Sequence, residues 1–168
     1  MTVTLRLTQA LYQQILQDLR RPHPHAAERI GFIACKPART SNGVLLAATT
    51  YLPLTDDMYV KDSHFGGEFN SYGMRAALQL AIDGDATIVH VHVHEHAGQP
   101  SFSGPDRRET QRFVPDFWNV KPKHPHGAVV LSEDSATGFC WLPGQRCPIP
   151  IARIVVVGMP MTFLEETP

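Results

Sequence analysis

The stretch Ile88-Val-His-Val-His-Val-His-Glu-His96 places a histidine at every second position from His90 to His96. Side chains alternate between the two faces of a β-strand, so the four imidazoles would line one face and the valines the other. A solvated polar face over a buried valine face is the default for such a strand. Four stacked imidazoles are a poor choice for solubility alone, however, and neutral imidazole is the commonest metal ligand in proteins. The stretch therefore predicts a strand that carries a metal site.

The composition describes a single soluble domain over residues 1–168. Of these residues 43% are hydrophobic and 18% charged, with 15 Lys and Arg against 16 Asp and Glu. The balance excludes disordered and coiled-coil classes, and a net charge of −1 gives no electrostatic footprint for nucleic acid or an anionic membrane. No apolar run approaches the roughly 18 residues of a membrane span, and the N-terminus has no signal-peptide pattern. We therefore expect a cytoplasmic protein that binds neither nucleic acid nor membrane.

The cysteine pattern agrees with that compartment. Cys35, Cys140 and Cys147 make an odd number without C-x-x-C spacing. This argues against both a disulfide scaffold and a cysteine-rich zinc site. A reducing environment fits best.

Hydrophobic periodicity predicts strands toward both ends of the chain, with helices interleaved. We expect helices after Thr8, near 70–83 and from Ser103 to about Phe113, and strands near 3–7, 30–35, 44–51, 86–93, 128–131, 138–141 and 151–157. Gly84 is expected to supply the positive φ that ends the second helix, and the proline-rich stretch Pro115–Gly127 is expected to be mostly loop. Without regular βαβ alternation, the pattern favours an α+β domain with a curved, mixed sheet.

A catalytic zinc needs a third protein ligand besides two histidines. Two histidines with one carboxylate are a known set, which leaves an open position for water. The helical H-E-x-x-H signature is absent, because His94-Glu-His-Ala-Gly98 has a different spacing. Downstream of the histidines lies Ser103-Gly-Pro-Asp106, at the start of the third predicted helix. Taken alone, Ser103 and Asp106 would be interpreted as a capping box.

Together these pieces form a more specific pattern. The arrangement His94-x-His96-x6-Ser103-x-x-Asp106, with Glu28 opening the strand Glu28-Arg-Ile-Gly-Phe-Ile-Ala-Cys35, resembles the JAMM (MPN-type) zinc metallopeptidase family. The family motif is a Glu at the start of an early strand, then H-x-H, about seven residues, and S-x-x-D. The resemblance implies an α+β fold, a single MPN/JAMM-like domain over 1–168 with a curved mixed β-sheet flanked by helices.

The resemblance also implies a role for each motif residue. His94, His96 and Asp106 would bind one zinc ion (Zn2+) per chain. Glu28 would be the general base that deprotonates the attacking water, and Ser103 would stabilise the oxyanion that develops on the scissile carbonyl.

Two histidine pairs can satisfy the motif. His94 and His96 leave six residues before Ser103, whereas His92 and His94 leave eight. We prefer His94 and His96, because Gly98 then falls where the family often has glycine, and because ligands belong at a strand end beside the cleft. For His90 and His92 the alternatives are support of the ligands from behind, a second metal site and a solvated stripe, of which we favour the first and the third.

The resemblance finally implies a substrate class. We expect a zinc-dependent (iso)peptidase, of deubiquitinase-like bacterial type, that hydrolyses an amide bond at the C-terminus of a ubiquitin-like or sulfur-carrier-like protein. The expected partners are that substrate and E1/E2-like enzymes. The alternative is a catalytically inactive MPN-type scaffold that only binds proteins. Such scaffolds generally lose metal ligands, so the presence of Glu28, Ser103 and Asp106 favours the enzyme.

Overall fold

One sheet organises the chain in the computed structural model, which describes residues 1–24, 26–61, 66–158 and 162–164. Within these ranges the helices are α1 (Gln9–Leu19), α2 (Ser71–Gly84) and α3 (Gly104–Phe113), and the strands are β1 (Thr2–Thr8), β2 (Ile30–Thr40), β3 (Gly43–Pro53), β4 (Thr87–Val93), β5 (His126–Leu131), β6 (Ala136–Trp141), β7 (Ile149–Val157) and β8 (Thr162–Leu164). A 3-10 turn over Val114–Asn119 follows α3. None of the helices in the described part is long and apolar enough to cross a bilayer.

The sheet closes into a barrel. The strand order is β1-β3-β2-β4-β5-β6-β7-β8, and β7 also pairs in parallel with β1, from Val3 opposite Ile151 to Thr8 opposite Val157. Seven strands therefore form a closed barrel, and β8 is added beside β7. The predicted α+β domain of MPN type, with a curved mixed β-sheet flanked by helices, is wrong, because the fold is mostly β with three short helices. The closing pair joins strands from opposite ends of the chain, and local periodicity carries no signal of such a contact.

The barrel interior holds the first of two apolar clusters. All seven barrel strands contribute to it, with residues such as Val3, Ile33, Leu46, Val89, Val129, Cys140 and Ile154. Helix α1 adds Leu11, Ile15 and Leu19 to the same cluster, so one stripe of this helix is buried. Its start is the predicted one, since Thr8 Oγ1 accepts a hydrogen bond from Leu11 N at 3.2 Å.

The second cluster lies on the opposite face of the sheet. Helices α2 and α3 and the 3-10 turn cover β2, β4 and β5 there, with a core that includes Phe32, Ala77, Ile88, Phe113, Phe117 and Val130. Strand β4 borders both clusters, and each of its residues is buried. Its valines belong to the interior cluster. Its histidines therefore point to the outer face, toward α3.

Two local expectations differ from the structure. Helix α2 ends in a left-handed residue, but that residue is Asp85, with φ of 42°, and not Gly84. A short polar side chain tolerates this conformation. His126 was expected in a loop, yet it opens β5 and is fully buried. Its Nδ1 accepts a hydrogen bond from Ile88 N at 3.1 Å, and burial lowers its pKa to about 4.

Candidate metal centre

Histidines and carboxylates from three segments meet at the end of β4. Glu28, His92 and His94 each offer a ligand atom, and these atoms lie within 4.8 Å of one another. Glu28 Oε1 lies 3.8 Å from His94 Nε2, and Asp106 Oδ2 lies 3.6 Å from His92 Nε2. Imidazole nitrogens and carboxylate oxygens together are donors typical of zinc sites. The arrangement is therefore a candidate zinc centre.

Glu28 is held in place by the residues that follow it. The hydroxyl of Tyr59 accepts a hydrogen bond from Ile30 N at 2.8 Å and donates one to Ile30 O at 3.0 Å. The Arg29 side chain is 3% exposed, and its Nε donates to Arg21 O at 2.9 Å. These contacts fix the backbone where β2 begins, so the Glu28 carboxylate is presented at the site by an ordered segment.

A glycine pair packs against the same segment. A Cβ atom at Gly67 would lie 2.6 Å from the carbonyl oxygen of Glu28 and 3.1 Å from Ile30 Cγ2, whereas one at Gly66 would lie 3.4 Å from Glu28 Oε2. The first distance is too short for any side chain, and the last is an ordinary contact. Gly67 is thus required for the close approach of this loop to Glu28. Nothing in the sequence alone indicated this contact.

Asp106 is positioned by the start of α3. Its Oδ2 accepts a hydrogen bond from Ser103 N at 2.7 Å, and its backbone N–H donates to Ser103 Oγ at 3.2 Å. The capping box expected from the sequence is therefore confirmed, and it also directs the carboxylate toward His92. Burial alone would raise the pKa of the Asp106 carboxyl, but His92 and the Ser103 hydrogen bonds together lower it well below its usual range. Asp106 is ionised at neutral pH.

The environment of His92 fits a bound cation. The residue is 1% exposed, and within the described part of the chain neither ring nitrogen has a hydrogen-bond partner. The 3.6 Å separation from Asp106 is too long for a hydrogen bond. A buried polar group without a partner costs about 1–3 kcal/mol. Coordination of a metal ion through Nε2 would remove that penalty at this nitrogen, so the residues present fit zinc.

The remaining histidines occupy different surroundings. His94 lies just beyond β4 and is partly exposed. Its pKa is lowered mainly by burial and also by the nearby His92. His96 is exposed, and its Nδ1 lies 2.9 Å from Ala97 O. His90 is 6% exposed and packs against Phe113, with ring centroids 5.1 Å apart.

The structure thus brings together four of the five residues of the preferred prediction: Glu28, His94, Ser103 and Asp106. It leaves His96 outside the group and puts His92 inside it. Spacing gives no signal for His92, because the spacers of six and eight residues differ equally from the motif's seven. The preference for His96 depends on the position of Gly98 and on the expectation that ligands lie at the end of a strand.

No protein-family model matches the chain, and no curated protein matches it. Among solved structures, the N-terminal domain of STIL from Trichoplax adhaerens is similar with a TM-score of 0.38 and 11% sequence identity. The alignment covers 82% of this chain, which spans only 40% of the STIL chain. A likeness at this level carries no argument about function.

A cavity of about 650 Å3 opens in front of the candidate centre. Its rim carries exposed or partly exposed side chains such as Glu68, Glu95, His96, Arg108 and Glu109, and its depth is lined by His92, His90 and Phe113. A groove of about 1090 Å3 lies elsewhere, around the far end of β2 at residues 37–44, and none of the site residues lines it. The cavity at β4 therefore opens the candidate metal centre to the protein surface.

Proposed function

We propose that the chain is a zinc-dependent peptidase or isopeptidase that hydrolyses an amide bond at the C-terminus of a ubiquitin-like or sulfur-carrier-like protein. One observation carries the proposal: the ligand atoms of Glu28, His92 and His94 converge within 4.8 Å, with Asp106 against His92. The geometry supports metal-dependent hydrolysis. The choice of substrate rests on the resemblance of the motif to JAMM metallopeptidases.

His92, His94 and Asp106 would hold the zinc ion. His92 is buried with both ring nitrogens unpartnered among the described residues, and Asp106 is ionised and fixed by its capping box. The Glu28 side chain is more exposed than these three, at 31%, and its Oε1 lies 3.8 Å from His94 Nε2. When bound, zinc would supply a Lewis acid that polarises a carbonyl and lowers the pKa of water.

Glu28 and Ser103 would act on the substrate. The Glu28 carboxylate lies beside the ligand group without belonging to the capping network, so it can accept a proton from water and pass it to the leaving amine. Ser103 Oγ accepts a hydrogen bond from Asp106 N. Its O–H lies within reach of the Asp106 carboxylate and would turn toward a substrate carbonyl to act as a donor. That hydroxyl borders the cavity and can stabilise negative charge on the carbonyl oxygen.

The three cysteines support a cytoplasmic location. Cys35, Cys140 and Cys147 are free thiols, two buried and one exposed, which is typical of proteins of a reducing compartment. We place the chain in the cytoplasm, with E1/E2-like enzymes as further partners of the substrate.

The deciding experiment combines metal analysis with cleavage. The zinc content of the purified chain is measured, and the zinc-loaded chain is incubated with a ubiquitin-like protein fused through its C-terminus to a reporter. The expected result is one zinc per chain and cleavage at the junction, which is lost in His92→Ala. Tight binding of the fusion without cleavage would instead favour a protein-binding scaffold.

A further inference from the structure

A surface groove of about 1090 Å3 lies across the far end of the barrel. Its walls are the hairpin of β2 and β3, at residues 37–44, and the loop at residues 122–125. Its floor is apolar, because Leu142 belongs to the interior cluster and Val44 packs against it. We call it the hairpin groove. Successive strand residues rise about 3.3 Å, so the groove begins roughly 20 Å along β2 from Ile30, beside the candidate metal centre, and the proposed hydrolysis does not involve it.

Both walls of the hairpin groove are ordered by contacts of their own. In the loop, Trp118 Nε1 donates a hydrogen bond to His124 O at 2.9 Å, and His124 N donates to Lys121 O at 3.1 Å. At the hairpin, Thr2 N and Thr2 Oγ1 both donate to Asn42 O, at 3.0 and 3.1 Å. A ligand would therefore enter a preformed groove, without the cost of ordering these segments.

One side of β2 has no strand partner along this groove. The pairing of β2 with β4 covers Ile30–Cys35, whereas β2 continues to Thr40. Within the described part of the chain, the strand residues 36–40 pair with β3 alone. An unpaired strand edge is a template for a further strand, so the groove offers room beside an open edge.

Arg39 presents both of its main-chain groups to this open edge. Thr2 N donates to Asn42 O, so alternate residues from Asn42, the next being Val44, direct their main-chain groups toward β1. Arg39 is the cross-strand partner of Val44, so its N–H and C=O point away from β3. Pro37, two residues earlier, has no N–H and offers only its carbonyl. Main-chain pairing with an added strand is therefore short, and side-chain contacts must contribute to binding.

The side chains of the hairpin groove favour an acidic ligand. Arg39 and Lys123 are exposed and line the groove, and neither side chain has an ion pair or hydrogen bond with any other described residue. Lys121 in the same loop is different, because its Nζ lies 2.7 Å from Asp85 Oδ1. Among the described residues, no Asp or Glu lines the groove. Carboxylates of a ligand would therefore complement two cations that have no other counter-charge.

We propose that the hairpin groove binds an extended acidic segment of a partner protein, which adds a short strand at Arg39 and places carboxylates beside the Arg39 and Lys123 side chains. In strand addition the main chain gives affinity and the side chains give specificity. A nucleic acid would meet only two unpaired cations and has no polypeptide backbone to pair with the strand edge. A second copy of the chain would bring the same two cations in its own hairpin groove. This inference does not rest on the proposed function.

Peptide binding tests the hairpin groove directly. Fluorescein-labelled peptides that span the groove, in which valine alternates with glutamate, glutamine or lysine, are titrated with the chain and followed by fluorescence anisotropy. We expect the glutamate peptide to bind about threefold to tenfold more tightly than the glutamine peptide, since exposed ion pairs contribute modestly, and to weaken with added salt. No binding is expected for the lysine peptide. Equal binding of the glutamate and glutamine peptides, or no binding of the glutamate peptide at about 1 mM, would overturn the proposal.

Charge reversals locate the carboxylates. Arg39→Glu and Lys123→Glu should each remove most of the preference for the glutamate peptide over the glutamine peptide, whereas Arg39→Lys should retain it. Arg75→Glu, at an exposed position on α2 outside the groove, is the matched control and should change nothing. A preference that survives both reversals would place the acidic ligand elsewhere and reject the groove.

Amide hydrogen exchange tests the strand addition. With the glutamate peptide bound, the Arg39 amide should become protected from exchange, because it faces the open edge, whereas the Thr40 amide faces β3 and should change little. Binding without protection at Arg39 would reject the added strand. A thymidine oligonucleotide that displaces the peptide at equal or higher affinity would reject a protein partner. Dimers that the peptide dissociates, measured by light scattering, would assign the groove to a second copy of the chain.

Discussion

Ile30 on β2 is the cross-strand partner of His92 on β4. The two strands are antiparallel, so the residue two before Ile30 lies opposite the residue two after His92. These residues are Glu28 and His94, and Glu28 Oε1 lies 3.8 Å from His94 Nε2. The paired stretch of β2 and β4 ends at Ile30 and His92. Strand β4 stops at Val93, and the next alternate residue after His94, His96, is exposed. The strand register therefore determines which histidines can share a metal ion with the early carboxylate.

The first prediction concerns this register. His92→Ala should weaken zinc binding by at least about 100-fold. Loss of a residue that only supports a ligand costs no more than about 100-fold in metal affinity, so a larger loss identifies His92 as a ligand. His96→Ala should leave the affinity nearly unchanged, since its ring contacts Ala97 O outside the group. Competition with a chelator of known affinity measures both. A larger loss in His96→Ala would restore the pair His94 and His96.

The second prediction separates the base from the ligands. Glu28→Gln should retain zinc and the folded structure but lower kcat by about 10²- to 10⁴-fold, because an amide cannot take a proton from water. Asp106→Asn should instead lose zinc. Glu95→Gln, an exposed rim carboxylate of the same cavity, is the control and should retain both zinc and activity. Loss of zinc in Glu28→Gln would make Glu28 a ligand.

Ser103 is a helix N-cap and the proposed donor to the oxyanion, and substitutions can distinguish these two roles. Glycine is a tolerable N-cap, so Ser103→Gly should lower the free energy of unfolding by only a few tenths of a kcal/mol, against about 1 kcal/mol for Ser103→Ala. Both variants lose the hydroxyl donor and should lower kcat by about 10²- to 10³-fold. Ser103→Thr should retain stability and activity. Normal kcat in Ser103→Gly would leave Ser103 as a helix cap alone.

Gly67 should be far less tolerant than its neighbour. In Gly67→Ala the new methyl group would meet the Glu28 carbonyl oxygen at 2.6 Å, which should cost about 1–3 kcal/mol of stability and displace the Glu28 carboxylate. In Gly66→Ala the methyl group meets Glu28 Oε2 at an ordinary 3.4 Å, so little change is expected. Urea denaturation of the two variants checks this difference. Equal stability would mean that the loop does not lie against Glu28.

The buried His126 should make stability depend on pH. Its folded-state pKa of about 4 lies below the ordinary 6.5, so between these values the unfolded chain binds a proton that the folded chain does not. Stability is therefore unaffected above about pH 6.5 and falls as the pH drops toward 4, by up to about 3 kcal/mol. His126→Asn should flatten this slope. Some slope remains, because burial also lowers the pKa of His90, to about 3. An unchanged slope in His126→Asn would show that His126 is not held neutral in the folded protein.

Local features of the fold could be predicted from the sequence, because each depends on residues close in the chain. The Thr8 cap, the capping box at Ser103 and the hairpin of β2 and β3 are of this kind. Closure of the barrel could not be predicted, since it depends on the pairing of β1 with β7. The histidine register lies between these cases: alternation put four imidazoles on one face, but which two meet Glu28 depends on the pairing of β2 with β4.

The parallel pairing of β1 with β7 also has a kinetic consequence. One edge of β1 receives its partner only when residues 149–157 have been synthesised, so the barrel has a high contact order and should fold slowly. The segments that carry Glu28, His92 and Asp106 leave the ribosome before that partner exists. During this interval β1 presents unpaired backbone groups, and association with other nascent chains is then the main competitor of folding.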